Sequence, residues 1–254
     1  MRLDKYLFEN DYYSSRNKAL EAITRGEVFV NGKVIKKPSF DITENENITI
    51  SSENKPYVSL GGYKLACAIK KFLPEIAGKM FIDVGASTGG FTDCLLRNGA
   101  KKVYCVDVGE GLLDKTIAAD PKVVVMDNTN ARFLTEKDFD EKADGIVVDC
   151  SFISLEYILP PLPSLLIESG YILALIKPQF ETGGKTHMKH GVLRDDKERY
   201  RVLKKIYSTI IDCELKFRGL CLATNDDKKN KEYIAYISKS GESVDFDEAF
   251  SSTS

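Results

Sequence analysis

No apolar run in this chain of 254 residues approaches the roughly 20 residues that span a bilayer. The opening MRLDKYLFEN carries charges where a secretory signal needs its apolar stretch, so the chain reads as cytoplasmic, with no membrane partner expected. Paired cysteines are missing too. Cys67, Cys94, Cys105, Cys150, Cys213 and Cys221 are scattered without a CxxC or a zinc-type spacing, which predicts reduced thiols in the core. The only histidines, His187 and His190, lie in a loop with no thiol or carboxylate cluster nearby, so no metal is expected. Nor is there an excess of one charge. A formal net charge of -2 excludes wholesale attraction to nucleic acid and leaves room for a local basic patch. What is present, 43% apolar and 29% charged residues, is the mix of a folded globular protein.

From Asp4 to about Thr24 apolar residues recur at helix-face intervals, and Ser14 or Ser15 is placed to cap a second helix. GEVFVNGKVI follows, two short β-type runs about Asn31-Gly32, a dipeptide that favours the positive φ values of a tight hairpin. Between Arg16 and Lys37 the cations Arg16, Lys18, Arg25, Lys33, Lys36 and Lys37 outnumber Glu21 and Glu27. Such a unit can contact phosphates by releasing counterions, although a solvated charged face has the same composition. RLDKYL, SRNKALEAI, GEVFVNGK and ENENITI together resemble the S-four RNA-binding fold. The resemblance spans residues 2 to 50 and implies a small α+β RNA-binding domain over 1–50, with Arg2, Lys5, Arg16, Lys18, Arg25 and Lys33 as candidate RNA contacts.

SSENKPYVS, residues 51–59, is polar and aperiodic and reads as a linker. Beyond it KMFIDVG, KVYCVDV, KVVVM, GIVVDC and YILALIK alternate with stretches that suit crossover helices, which predicts an α/β domain with a mostly parallel, Rossmann-like sheet over 60–240. The polar ending GESVDFDEAFSSTS, 241–254, is expected to be a disordered tail.

FIDVGASTGGFTD places a glycine-rich turn between a strand and a helix. Gly85, Gly89 and Gly90 do not have the GxGxxG spacing of a dinucleotide site, and the Gly-Lys-Ser/Thr of a P-loop is missing. Asp83 and Asp107 end successive strands, and at the second position a carboxylate can accept both hydroxyls of a ribose. A nucleoside without a pyrophosphate suits this turn, and S-adenosylmethionine is the common one. Its candidate contacts are Asp83, Gly85, Ala86, Ser87, Thr88, Gly89, Gly90, Phe91, Asp107 and Val108, with Asp127, Asn128 and Asn130 at the adenine edge. Glycines that merely let a helix pack closely would look the same.

Asp149 ends GIVVDC, Lys177 ends YILALIK, Glu232 begins EYIAYI, and Lys64 lies in GGYKLA ahead of the sheet. Asp149 and Lys177 belong at the crevice beyond the carboxyl ends of parallel strands, and Glu232 joins them only if its strand runs antiparallel. Two lysines and two carboxylates there could take a proton from a weakly acidic hydroxyl, while an ion-pair network at the sheet rim fits the same spacing.

YVSLGGYKL, DVGASTGGFTDCLL, VYCVDVG, VVVMDNTNAR, DCSFISL and LIKPQFE, in this order behind an S-four domain, resemble the TlyA family, hemolysin-named proteins that include FtsJ-like ribosomal RNA ribose 2'-O-methyltransferases. The resemblance implies an S-adenosylmethionine-dependent enzyme acting on a cytidine ribose of large-subunit and also small-subunit rRNA, with ribosomal RNA or ribosomal subunits as partner. It implies a catalytic Lys64, Asp149, Lys177 and Glu232, in which Lys177 is the base, Lys64 its aid, and the carboxylates position them. The chain departs from the family at Leu60, where arginine is common, and in LATNDDKKNKEY, which lacks a Ser-Pro start and a Gly-Pro pair. A membrane-lysing protein and a non-catalytic RNA-binding module are the competing readings.

Overall fold

A computed structural model describes residues 1–10, 12–13, 15–43, 46–50, 56–183, 188, 191–223 and 230–253. Ser14 as a cap, His187 and His190, most of the linker and the divergent loop 224–229 lie outside the described residues. The chain divides into two compact units, Met1–Pro56 and Tyr57–Ser254.

The first unit carries α1 (Leu3–Glu9) and α2 (Arg16–Arg25), then β1 (Val28–Val30), β2 (Lys33–Val34) and β3 (Ile48–Ile50), in a sheet of order β2-β1-β3. Ser15 starts α2 by accepting from the Lys18 amide at 3.2 Å, satisfying one of the donors a helix N-terminus leaves open. Asn31 and Gly32 take positive φ values of 51° and 76°, the backbone of a twist-matched hairpin. Leu3, Leu7, Ala22, Ile23 and Val28 are fully buried between the helices and the sheet.

The second unit runs α3 (Leu60–Phe72), β4 (Met80–Val84), α4 (Gly90–Arg97), β5 (Lys102–Val106), α5 (Lys115–Ala118), β6 (Val123–Met126), β7 (Ala143–Val148), α6 (Leu155–Ile158), α7 (Leu162–Leu165), β8 (Leu166–Ile176), α8 (Pro178–Glu181), α9 (Asp196–Asp212), β9 (Lys216–Leu222), β10 (Tyr233–Ser238) and α10 (Phe246–Ser251). Its seven-stranded sheet has the order β6-β5-β4-β7-β8-β10-β9. β4 to β8 pair in parallel, and β10 runs antiparallel to both β8 and β9. Strands buried on both faces explain the Val/Ile-rich runs. Along β4, Met80, Ile82 and Val84 pack on one face of the sheet and Phe81 on the other, with α3 and α4.

Two boundaries differ from the sequence reading. Tyr57 to Ser59, read as linker, belong to the second unit: the Arg97 guanidinium lies 4.5 Å from the Tyr57 ring, Asp93 accepts from the Val58 amide at 2.9 Å, and Ser59 caps α3. The expected disordered tail contains α10 instead. Asp245 caps it, and Phe246, 4% exposed, packs on Tyr200, Tyr207 and Phe217, so one aromatic anchor outweighs the polar composition around it.

Candidate active site

Strand order reverses about β4, which is flanked by β5 and β7, and open sheets of this kind bind ligands beyond the carboxyl ends of their strands at that point. A cleft of about 340 Å³ lies there, floored by Val84 and Val106, with Asp107, Asn130, Asp149 and Ser151 among its polar groups. A second recess of about 400 Å³ is bounded by Ser59 to Gly61, by Gly85 to Thr88, and by Asp149, Ser151 and Lys177.

The glycine turn is shaped largely by its protein neighbours. Gly85, at φ +81, has no room for a Cβ, which would lie 2.7 Å from the Asp149 carbonyl oxygen. Gly89 packs on Leu113 and Ile117, and a Cβ on Gly90 would lie 2.1 Å from Ser59 Oγ. Ala86, Ser87, Thr88 and Phe91 line the second recess. Both Asp107 oxygens are held at 2.8 Å by backbone, Oδ2 by the Ser87 amide and Oδ1 by the Gly109 amide. Each keeps a second lone pair, so the carboxylate can still accept a ligand hydroxyl beside Val108, which is exposed at the mouth of the cleft.

Three of the expected contacts lie elsewhere. Asp83 is fully buried beneath the turn, where Thr92 Oγ1 donates to Oδ2 at 2.6 Å. Burial pushes its carboxyl up to about 7, an effect the Thr92 hydrogen bond opposes and Asp149 and Asp107 add to. Its strand position makes it an interior residue rather than a ligand contact. The Asp127 carboxylate accepts from the Gly111 amide at 2.9 Å, and Asn128, at φ 53, shapes the loop; neither lines the cleft, whereas Asn130 does.

The antiparallel register sets Tyr233 opposite Ile176, which brings Glu232 to the level of Lys177. Lys64 Nζ lies 2.6 Å from Glu232 Oε2, and Lys177 Nζ lies 2.5 Å from Asp149 Oδ1. The four residues thus form two ion pairs at the same end of the sheet. Burial at this level would make an unpaired charge costly, and pairing removes most of that cost. Two neutral residues that sequence reasoning missed complete the pairs: Ser151 Oγ accepts from Lys177 at 2.8 Å, and Gln179 Nε2 donates to Glu232 Oε1 at 3.4 Å. Each lies two positions beyond a tetrad residue, the one signal that could have marked them. Leu60, where the family commonly has arginine, is 63% exposed at the rim.

In the first unit the candidate RNA contacts are more heavily paired than their sequence suggests. Arg2 and Arg16 both bind the buried Asp4 carboxylate, Arg2 through Nε at 3.0 Å and Arg16 through Nη2 at 2.9 Å. Burial raises the Asp4 pKa, and the two guanidiniums more than offset this, holding it below the usual carboxylate range. Arg25 pairs with Glu27 at 2.6 Å and Lys5 with Glu9 at 3.5 Å, while Lys18 is half-buried and Lys33 is exposed. The thiols are free: Cys94, Cys105 and Cys221 are buried as expected, whereas Cys67 is exposed on α3.

An FtsJ-like methyltransferase model matches residues 57–239 and an S4 domain model matches residues 1–48. The chain is 38% identical over 201 residues to the 16S/23S rRNA (cytidine-2'-O)-methyltransferase TlyA of Mycobacterium tuberculosis, covering 79% of this chain and 75% of that one. It is 39% identical to Hemolysin A of Brachyspira hyodysenteriae, covering 93% of this chain and 99% of that one. A crystal structure of a hemolysin-named protein from Lactococcus lactis superposes with a TM-score of 0.72 at 38% identity, covering 78% of this chain and 99% of that one. With both models matched in order and these identities over most of its length, the chain belongs to the TlyA family of FtsJ-like methyltransferases with an N-terminal S4 domain.

Proposed function

We propose that the protein is an S-adenosylmethionine-dependent ribosomal RNA 2'-O-methyltransferase acting on a cytidine ribose of large-subunit rRNA, with small-subunit rRNA as a second substrate. The observation that carries this reading is the pair of lysine–carboxylate contacts beside a nucleoside-sized cleft at the switch point of the sheet. The cleft fits the cofactor in its chemistry. Val84, Val106 and Leu112 offer apolar surface for an adenosine, and Asp107 offers acceptors for its ribose hydroxyls. Bound there, S-adenosylmethionine supplies an electrophilic methyl group on a sulfonium sulfur and leaves as the thioether.

The residues of this chain then have separable tasks. Lys177 takes the proton of the ribose 2'-hydroxyl on Nζ as that oxygen bonds to the methyl carbon. Asp149 fixes the Lys177 side chain, and Glu232 fixes Lys64, whose positive charge aids ionisation of the hydroxyl. Holding two reactants in line supplies on the order of 7 to 11 kcal/mol of the barrier, so positioning dominates. In the first unit the cations of α2 and β2 give a surface for RNA phosphates.

The test is incubation with methyl-labelled cofactor and ribosomal subunits that lack the modification, followed by mapping of ribose methylation. Label is expected on a cytidine ribose, and Lys177→Ala is expected to lower transfer at least about 100-fold. Failure of transfer, or transfer indifferent to Lys177→Ala, removes the mechanism. The hemolysin name of one relative motivates a parallel assay. No helix among the described residues is long and apolar enough to cross a membrane, and dye release from liposomes by the pure protein is expected to stay at background.

A further inference from the structure

We infer that Ser151 is a positioning residue that aims the lone pair of Lys177, an inference that rests on the methyl-transfer reading above. A lysine acts as a base only as a neutral amine, which has two N–H bonds and one lone pair in tetrahedral directions. Two oxygens lie against Lys177 Nζ: Asp149 Oδ1, an ion-pair contact at 2.5 Å without hydrogen-bond geometry, and Ser151 Oγ, which accepts a hydrogen bond at 2.8 Å. With one N–H spent on Ser151, the amine is fixed about its Cε–Nζ bond and the lone pair is confined to the two remaining positions, of which repulsion from the Asp149 carboxylate disfavours the nearer. With Asp149 alone, the amine rotates about its Cε–Nζ bond and the lone pair is shared among several directions. Ser151 thereby converts a tethered base into an aimed one.

The surroundings favour this role over a structural one. Ser151 is exposed, and it lines both the nucleoside cleft and the adjoining recess, as Asp149 does. The loop that carries it is braced without its hydroxyl. The Asp149 amide donates to the Val84 carbonyl at 2.9 Å on one side. On the other, Glu181 accepts from Ser154 Oγ at 2.5 Å and from the Leu155 amide at 3.0 Å. Removing the Ser151 hydroxyl leaves each of these bonds in place.

The experiment compares Ser151→Ala, Ser151→Thr and Lys177→Ala with the unsubstituted protein in steady-state transfer to ribosomal subunits. Calorimetry of S-adenosylmethionine binding and thermal unfolding accompany it. For Ser151→Ala, kcat is expected to fall by about tenfold, with KM for the subunit and Kd for the cofactor within about twofold and Tm unchanged. Ser151→Thr, which keeps the hydroxyl, is expected to recover kcat to within about threefold. Wild-type kcat in Ser151→Ala, or a loss that appears in KM or Kd instead, or no recovery in Ser151→Thr, overturns the inference while a dead Lys177→Ala leaves the base assignment standing. Activity that survives in Lys177→Ala overturns both.

Discussion

Glu232 shows what a single charge does at this site. Its carboxylate binds Lys64 at 2.6 Å, and both side chains are largely covered, at 19% exposure for Lys64 and 13% for Glu232. Glu232→Gln keeps the shape and the Gln179 contact but leaves the Lys64 ammonium without its counter-ion. Transfer under single-turnover conditions is expected to fall by about 10- to 100-fold, with cofactor affinity unchanged by calorimetry. Asp83 poses the opposite case, a carboxyl that the fold prefers protonated. Its folded pKa of about 7 lies above the ordinary aspartate value of 3.8, so the native state binds the extra proton between those values. Stability from this group is therefore greatest at low pH, falls as pH rises from about 4 to about 7, and stays reduced above that. Asp83→Asn is expected to flatten this limb and raise stability at pH 8 by roughly 1–3 kcal/mol, read from urea midpoints across the pH range.

Packing of α3 on α4 sets where Lys64 stands, and it depends on two glycines. A Cβ on Gly62 would lie 2.2 Å from the Tyr57 ring, and one on Gly90 would lie 2.1 Å from Ser59 Oγ and 3.0 Å from the Gly62 amide nitrogen. The ring and the backbone cannot yield cheaply. Gly90→Ala is expected to cost about 1–3 kcal/mol and to lower Tm by roughly 3–10 °C in calorimetry, and to weaken transfer further by shifting Lys64. Most of this element-level frame was legible in the sequence. Alternating Val/Ile-rich runs marked the parallel strands, and Asp107, Asp149 and Lys177 were placed at strand ends because a run of apolar residues stops there. Glu232 needed the direction of β10, which its residues do not encode and only pairing with β8 decides. Ser151 and Gln179 were missed because their partners lie 26 and 53 residues away in sequence, at the ends of strands that become neighbours only in the folded sheet, and a single serine or glutamine carries no pattern of its own. Asp83 was misassigned for a local reason: alternation along β4 sends its side chain to the α4 face, under the turn that its neighbours build.

At the scale of the whole molecule a net charge of -2 means that RNA affinity must come from where cations lie rather than from their number. Arg2 and Arg16 share the buried Asp4, so Arg16 ties α2 to α1 while Arg2 braces the start of α1, and both guanidiniums stay half-exposed. Charge reversal at Arg16 would set a second carboxylate against Asp4 and unfold the unit, confusing loss of binding with loss of structure. Lys33 is exposed on β2 and makes the cleaner probe. The neutral substitution Lys33→Gln is expected to lower the slope of log K against log salt by about one for an rRNA fragment, without changing Tm. Cofactor binding, which uses the other unit, is expected to stay as it was. If Lys33→Gln binds RNA with the unsubstituted slope, the β2 side of the S4 domain is a solvated surface, and RNA affinity must be sought elsewhere, first in the cations that rim the methyltransferase cleft, such as Arg132.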